Sequence, residues 1–257
     1  MSTIIALANQ KGGVGKTTTA VNLATALAAT KKRILLIDFD PQGNASTGLG
    51  LSSDRREHNS YSSLWSPETI EQAIHPTEVP SLSLLPAVPD LAAAEVELVA
   101  LQDRHERLKK AVQPIADDYD FIFIDCPPSL GLLTLNALAC AHKVLIPLQC
   151  EFYALEGLSH LLKSIERIRA RINPRLDIQG IVLTMYQKRS LLNQQVALDT
   201  QEHLGHKVYK TLVPRNIRVS EAPSFGKPAL LYDMHCSGSK AYLSLAQEFI
   251  QRERCAP

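Results

Sequence analysis

The stretch Asn9–Ala24, "NQKGGVGKTTTAVNLA", lies between two apolar runs, "TIIALA" (Thr3–Ala8) and "RILLIDFD" (Arg33–Asp40). Gly12, Gly13 and Gly15 break the first run. After them Ala20, Leu23, Ala24 and Leu27 recur at helical spacing. Strand, glycine loop, helix, strand is the order of a βαβ unit in a parallel sheet. Such a sheet is covered on both faces, so its strands read as unbroken apolar runs. A glycine loop in this place lets backbone amides close on a phosphate, and the following helix adds its positive N-terminal end. The usual spacing G-x-x-x-x-G-K-[ST] is not quite met. Counting back from Gly15-Lys16-Thr17, the leading glycine is replaced by Gln10, and the next residue is a second lysine, Lys11.

The same alternation continues along the chain. Ser46–Pro89 is rich in Ser and Pro and reads as short helices with one strand, "LSLLPA". Helical patterns follow at Leu91–Leu101 and Arg104–Ile115, then "DFIFIDCPPS" (strand), "LLTLNALACA" (helix), "KVLIPLQ" (strand), "LEGLSHLLKSIERIRARI" (helix) and "LDIQGIVLTMY" (strand). A helix at Leu191–Leu204, a strand at Lys207–Leu212 and a terminal helix "KAYLSLAQEFIQRER" complete the pattern. No linker or repeat interrupts it, which predicts a single α/β domain over residues 1–257, a mostly parallel twisted sheet with helices on both faces.

Composition narrows the function classes. Charged residues are 21% of the 257 and the net charge is +1, so only local clustering could mark a nucleic-acid surface. Five cysteines without a C-x-x-C pair argue against a disulfide framework or a zinc site. No apolar run approaches the roughly 20 residues of a membrane span, and "TIIALA" is too short for a signal peptide. A cytoplasmic protein is expected.

Three motifs carry chemistry. In "KGGVGKTT" the backbone of Gly12, Gly13, Val14 and Gly15 cradles phosphate. Lys16 reaches the β/γ-phosphates, Thr17 offers its hydroxyl to Mg²⁺, and Thr18 touches the α-phosphate. In "DFDPQGN" the carboxylates Asp38 and Asp40 end a strand, where ligands of open α/β sheets bind, and such a group can order an attacking water or support a metal. The apolar run "FIFID" ends in Asp125, the Walker B arrangement of a Mg²⁺ partner acting directly or through water. Cys126 reads as a packed thiol, because no histidine lies near it, and no histidine is assigned a role. The strand end "LTMYQ" lacks a guanine-reading NKxD motif, so the expected nucleotide is ATP.

These spellings, with "DFDPQGNAS", "DCPPSLGLLTLNAL", "EFYALEGL" and "VPRNIRVSEAPSFGKP", resemble the ParA/Soj-type partitioning ATPases of the deviant Walker A group, which also includes MinD. The likeness runs from the first strand to about Asp233. It implies that Lys11 reaches across a homodimer to the phosphates of the partner's ATP, and that Asp40 positions the hydrolytic water. Lys11, Lys16 and Asp40 are then the catalytic set, and Thr17, Asp40 and Asp125 hold Mg²⁺, partly through water. Pro214 and Asn216 lie in the segment that contacts adenine.

The resemblance further implies an ATP-dependent dimer that binds double-stranded DNA without sequence preference, is nucleoid-associated, and is released when a ParB-type centromere-binding partner stimulates slow hydrolysis. Between Met185 and Pro228, Lys188, Arg189, Lys207, Lys210, Arg215, Arg218 and Lys227 outnumber Asp199, Glu202 and Glu221. Arg189 and Arg218 match the family's DNA-binding arginines, with Lys227 beside them. After "LYD" relatives carry a basic residue near a Pro-Arg pair; here the run is "MHCSGSK", and Lys240 is the expected cation.

Three alternative readings make different demands on the sequence. A MinD-like ATPase that positions another cargo or cycles on the membrane would need a terminal amphipathic helix with a basic face. Ala241, Leu245 and Phe249 instead fall at core spacing, which predicts a docking helix and no membrane binding. A redox ATPase resembling the nitrogenase iron protein would need cluster-forming cysteines, which Cys126, Cys140, Cys150, Cys236 and Cys255 do not suggest. A plasmid-type repressor would carry a helix-turn-helix, for which the eight residues before Asn9 leave no room.

Overall fold

The computed structural model describes residues 2–255. Seven strands form one sheet: β1 (Thr3–Leu7), β2 (Ile34–Asp38), β3 (His75–Pro76), β4 (Leu82–Leu85), β5 (Phe121–Asp125), β6 (Lys143–Gln149) and β7 (Asp177–Thr184). Their order is β3-β4-β2-β5-β1-β6-β7. All neighbours are parallel except the two-residue β3, which pairs antiparallel with β4. The sheet is the mostly parallel one expected, with β3 added at its edge.

The unbroken apolar strands feed two cores by alternation. Ile4, Ala6, Leu35, Ile37, Ile122 and Ile124 point to one face, where α2 (Leu132–Cys140), α3 (Ala154–Arg171) and α4 (Leu191–Leu204) pack. Ile5, Leu7, Ile34, Leu36, Phe121 and Phe123 point to the other, against α1 (Lys16–Ala28) and α5 (Ser237–Cys255). Period-two side-chain direction sends neighbours to opposite faces, so a strand covered twice must be apolar throughout. In α5, Tyr242, Leu245, Ala246 and Phe249 are buried, and Phe249 packs edge-on against Phe121 at 5.3 Å. Among the described residues, no helix is long and apolar enough to cross a membrane. Cys126, Cys140, Cys150 and Cys236 are free thiols, and the side chain of Cys255 lies outside the described set.

Lys207–Leu212 does not form the strand expected of it. Val208 and Pro214 make only isolated bridges, to Ile181 and Tyr186. Tyr209 N–H and Val213 N–H still donate to Ile181 C=O and Leu183 C=O of β7, but between them the Glu248 carboxylate of α5 accepts Lys210 N–H and Thr211 N–H, each at 2.9 Å. With those two donors taken, the pairing on β7 is interrupted and only its two ends remain. The helix expected at Leu91–Leu101 is broken into Pro89–Ala92, Ala94–Glu97 and Leu98–Ala100, and the next is helical only over Arg107–Val112 before a 3₁₀ stretch. The terminal helix begins at Ser237, three residues before Lys240.

Two long-range contacts fix the loops. Gly50 (φ 81°) and Gly226 (φ 63°) meet backbone to backbone. A Cβ on Gly50 would lie 2.9 Å from the Gly226 carbonyl oxygen, and one on Gly226 would lie 2.8 Å from the Gly50 Cα. At the other end of the sheet, Ile4 N–H of the central strand donates to His142 Nδ1 at 3.0 Å, and His142 N–H donates back to Ile4 C=O at 2.8 Å.

That first bond requires a neutral imidazole. Burial lowers the pKa of His142, and the nearby charges of Arg175, Lys109 and Lys143 lower it further. The unfolded histidine, with an ordinary pKa near 6.5, takes up a proton first as pH falls, so this group's contribution is lost below about pH 6.5. His142→Asn keeps an acceptor at the Nδ1 position and removes the titration. Thermal melts at pH 7.5 and 5.5 should show a smaller acid-induced loss in the variant; equal losses would exclude His142 as a contributor.

Candidate active site

The strand register assembles the site. Leu7 of β1 and Asp38 of β2 both stand opposite Asp125 of β5. The loop leaving β1 therefore crosses the sheet edge beside two carboxylates. Gly13 and Gly15 adopt left-handed backbone, with φ of 74° and 86°, a region that favours glycine. Gly15 is the N-cap of α1, so α1 begins at Lys16 with its first amides directed at the loop.

The loop is braced from two strands. Asn9 Nδ2 donates to Pro147 C=O of β6 at 2.8 Å, while Asn9 Oδ1 accepts Lys11 N–H at 3.0 Å. Thr184, the last residue of β7, donates its hydroxyl to Val14 C=O at 2.7 Å. The residue after it, Met185, is held at φ 51°, an uncommon conformation for a bulky side chain. Only the polar residue closing an apolar run marked Thr184 in the sequence.

Lys16 is buried, and its ammonium turns back to Lys11 C=O at 3.3 Å. Burial lowers its pKa, against the opposing charges of Asp125, Cys126 and Asp40. Asp125 is fully buried, and neither carboxylate oxygen has a hydrogen-bond partner. Burial and the Asp38 charge push its pKa well up, while the Lys16 charge opposes the shift. A buried, unpartnered carboxylate facing a lysine and a threonine hydroxyl suits Mg²⁺, which takes oxygen ligands, few carboxylates and substrate phosphate. Among the described residues, no group of three or more His, Cys, Asp and Glu side chains is arranged to hold a metal unaided.

Asp38 and Asp40 differ. Asp38 is fully buried and accepts both Ser46 N–H (2.7 Å) and Ser46 O–H (2.6 Å) through one oxygen. Burial raises its pKa to about 6. Its bonds, including one from Asp40 N–H at 3.4 Å, hold the loop that follows β2. Asp40, in the following turn, is buried and accepts Gln42 N–H at 3.0 Å. Cys126 is a packed thiol whose pKa burial drives far up, out of the nucleophilic range.

Lys11 is exposed and forms an ion pair with Glu151. Glu151 had no role in the sequence reading. Beside the pair, Phe152 and Tyr153 are exposed. Pro214 bridges Tyr186 next to the loop. Asn216 is internally committed: Oδ1 accepts Val219 N–H and Nδ2 donates to Ser237. Arg189, Lys227 and Lys240 are exposed and make no ion pair among the described residues, whereas Arg218 lies 3.1 Å from Glu221 and 3.8 Å from Asp233.

Residues 2–178 match the family described as AAA domain. The chromosome partitioning protein ParA of Caulobacter vibrioides is 55% identical over 253 residues, covering 98% of this chain and 95% of that protein. The sporulation initiation inhibitor protein Soj of Bacillus subtilis is 50% identical over 248 residues, covering 96% and 98%. Among solved structures, cobyrinic acid a,c-diamide synthase from Mycobacterium smegmatis with bound ADP and magnesium aligns with a TM-score of 0.87 at 34% identity, covering 99% of this chain and 96% of that one. The fold thus accommodates a nucleotide and magnesium together.

Thr184→Val keeps the side-chain shape but leaves Val14 C=O without its donor. Losing a buried hydrogen bond costs about 1 kcal/mol, so ADP affinity should fall about fivefold in a fluorescent-nucleotide titration. An unchanged affinity would show that the loop is organised without this bond.

Proposed function

Because the chain belongs to the ParA/Soj family of chromosome-partitioning ATPases, we propose that it is a Mg²⁺-dependent ATPase whose ATP-bound homodimer binds DNA and releases it after hydrolysis. The observation that carries this reading is the convergence of buried Lys16, unpartnered Asp125 and Asp40 around one glycine loop at the strand ends. Phosphoryl transfer needs little covalent chemistry from a protein and much positioned charge.

Each side chain has a role in this scheme. Lys16 neutralises charge on the β- and γ-phosphates. Thr17 and Asp125 hold Mg²⁺, which supplies further neutralisation of the same oxygens. Asp40 orders the attacking water. Pro214 and Asn216 border the adenine. Lys11 leaves Glu151 for the partner's ATP, so it completes a site only in the dimer. Arg189, Lys227 and Lys240 offer unpaired charge to DNA phosphates, and Arg218 joins them by exchanging Glu221 and Asp233 for phosphate. Dimerisation doubles the number of such contacts and steepens the salt dependence of binding. A ParB-type partner stimulates the hydrolysis that ends the DNA-bound state.

Asp40→Ala tests the scheme. Its single-turnover hydrolysis should fall about a hundredfold or more, while ATP still drives dimer formation in size-exclusion chromatography. DNA binding by this variant should require ATP, ignore sequence and weaken steeply between about 50 and 200 mM salt. Normal hydrolysis by Asp40→Ala would sink the catalytic assignment. Binding that is equal with ATP, with ADP and without nucleotide would sink the coupling to DNA. Lys11→Ala should bind a first ATP yet fail to dimerise.

A further inference from the structure

Arg56 is a buried cation with no carboxylate in ion-pair range among the described residues; it is 8% exposed. Its guanidinium is spent on the loop that follows Asp40. Nε and Nη2 both donate to Leu51 C=O, at 3.1 and 2.5 Å. Nη1 donates to Gly43 C=O at 3.4 Å and to Ala87 C=O at 3.2 Å, and Nη2 to Thr47 Oγ1 at 3.0 Å. One planar fork therefore ties both ends of the segment 43–51 to Ala87, the second residue after β4. A lysine, with one compact ammonium, cannot reach four separate acceptors.

The link to Asp40 is short. Gly43 N–H donates to Asp40 C=O at 2.9 Å, and Gln42 N–H donates to the Asp40 carboxylate. These bonds close a turn whose last residue, Gly43, is the one Arg56 grips. Gly43 has φ 61°, and a Cβ there would lie 2.6 Å from Arg56 Nη1. The absent side chain at 43 is what admits the guanidinium. Ala87 serves the same loop twice, since its N–H also donates to Ser46 Oγ at 3.1 Å.

We infer that Arg56 is a positioning residue for hydrolysis, holding the turn that presents the Asp40 carboxylate to the attacking water. This rests on the reading of Asp40 as the water-ordering group. All of these Arg56 hydrogen bonds go to residues outside the phosphate loop, so its loss should spare nucleotide binding and impair the chemical step. A misplacement near 1 Å can cost about a hundredfold in rate.

The test is a double-mutant cycle on the full-length protein. Arg56→Lys should lower kcat about ten- to a hundredfold and leave ADP affinity within about twofold, the split that marks loss of a transition-state contact alone. Added to Asp40→Ala, it should cause no further loss, because both act through one carboxylate. Should Arg56→Lys fail to fold, Thr47→Val removes one acceptor of Arg56 together with the hydroxyl donor to Gly43 C=O, and should lower kcat about threefold in the same pattern. Three results would overturn the inference: a lowered melting temperature with unchanged kcat, parallel loss of kcat and ADP affinity, or losses that multiply in the double variant. Normal hydrolysis by Asp40→Ala alone would instead identify the Asp40 reading as the part that failed.

Discussion

A fully buried carboxylate without a hydrogen-bond donor is the constraint around which the rest is arranged. An isolated charge in a protein interior is costly, and Asp125 meets that cost only through neighbours. Its pKa is pushed up by burial and by Asp38 one strand away, so the site tolerates proton or cation there. Lys16 provides one opposing charge and is itself depressed by burial. Two mutually dependent groups, each poor at holding its charge alone, give the strand ends an affinity for a ligand that brings both signs. Nucleotide phosphate and Mg²⁺ together have that property.

Register makes the arrangement reproducible. β2, β5 and β1 are parallel neighbours, so their C-terminal residues come out level. The same alternation that fills two cores therefore delivers Asp38, Asp125 and the glycine loop to one edge. Bracing from β6 through Asn9 and from β7 through Thr184 extends this order to five of the seven strands.

The sequence made these parts legible because they are local. An apolar run, a glycine loop and a helical repeat each declare themselves within about fifteen residues. The glycine loop and the strand-end position of Asp125 were readable for that reason. What it hid depends on distant partners. Lys207–Leu212 has the composition of a strand, but Glu248, some forty residues later, takes the Lys210 and Thr211 donors from its middle. Glu151 looks like any surface acid until the fold sets it beside Lys11. Arg56 sits in a polar stretch with no periodicity, and its acceptors are carbonyls, which carry no side-chain signature. Asp38 and Asp40 are separated by Phe39 alone and indistinguishable by pattern; only the hydrogen bonds from Ser46 turn the first into a loop anchor.

The contact between Gly50 and Gly226 bears on how such proteins can be recombined. Each position excludes a side chain on account of the other's backbone, not of its own turn alone. A chimera that borrows its 41–51 loop from a relative inherits half of this fit and must take the matching 222–229 segment to keep it. The two stretches, far apart in the chain, form one exchangeable unit, and a crossover placed between them divides a part that the fold treats as whole.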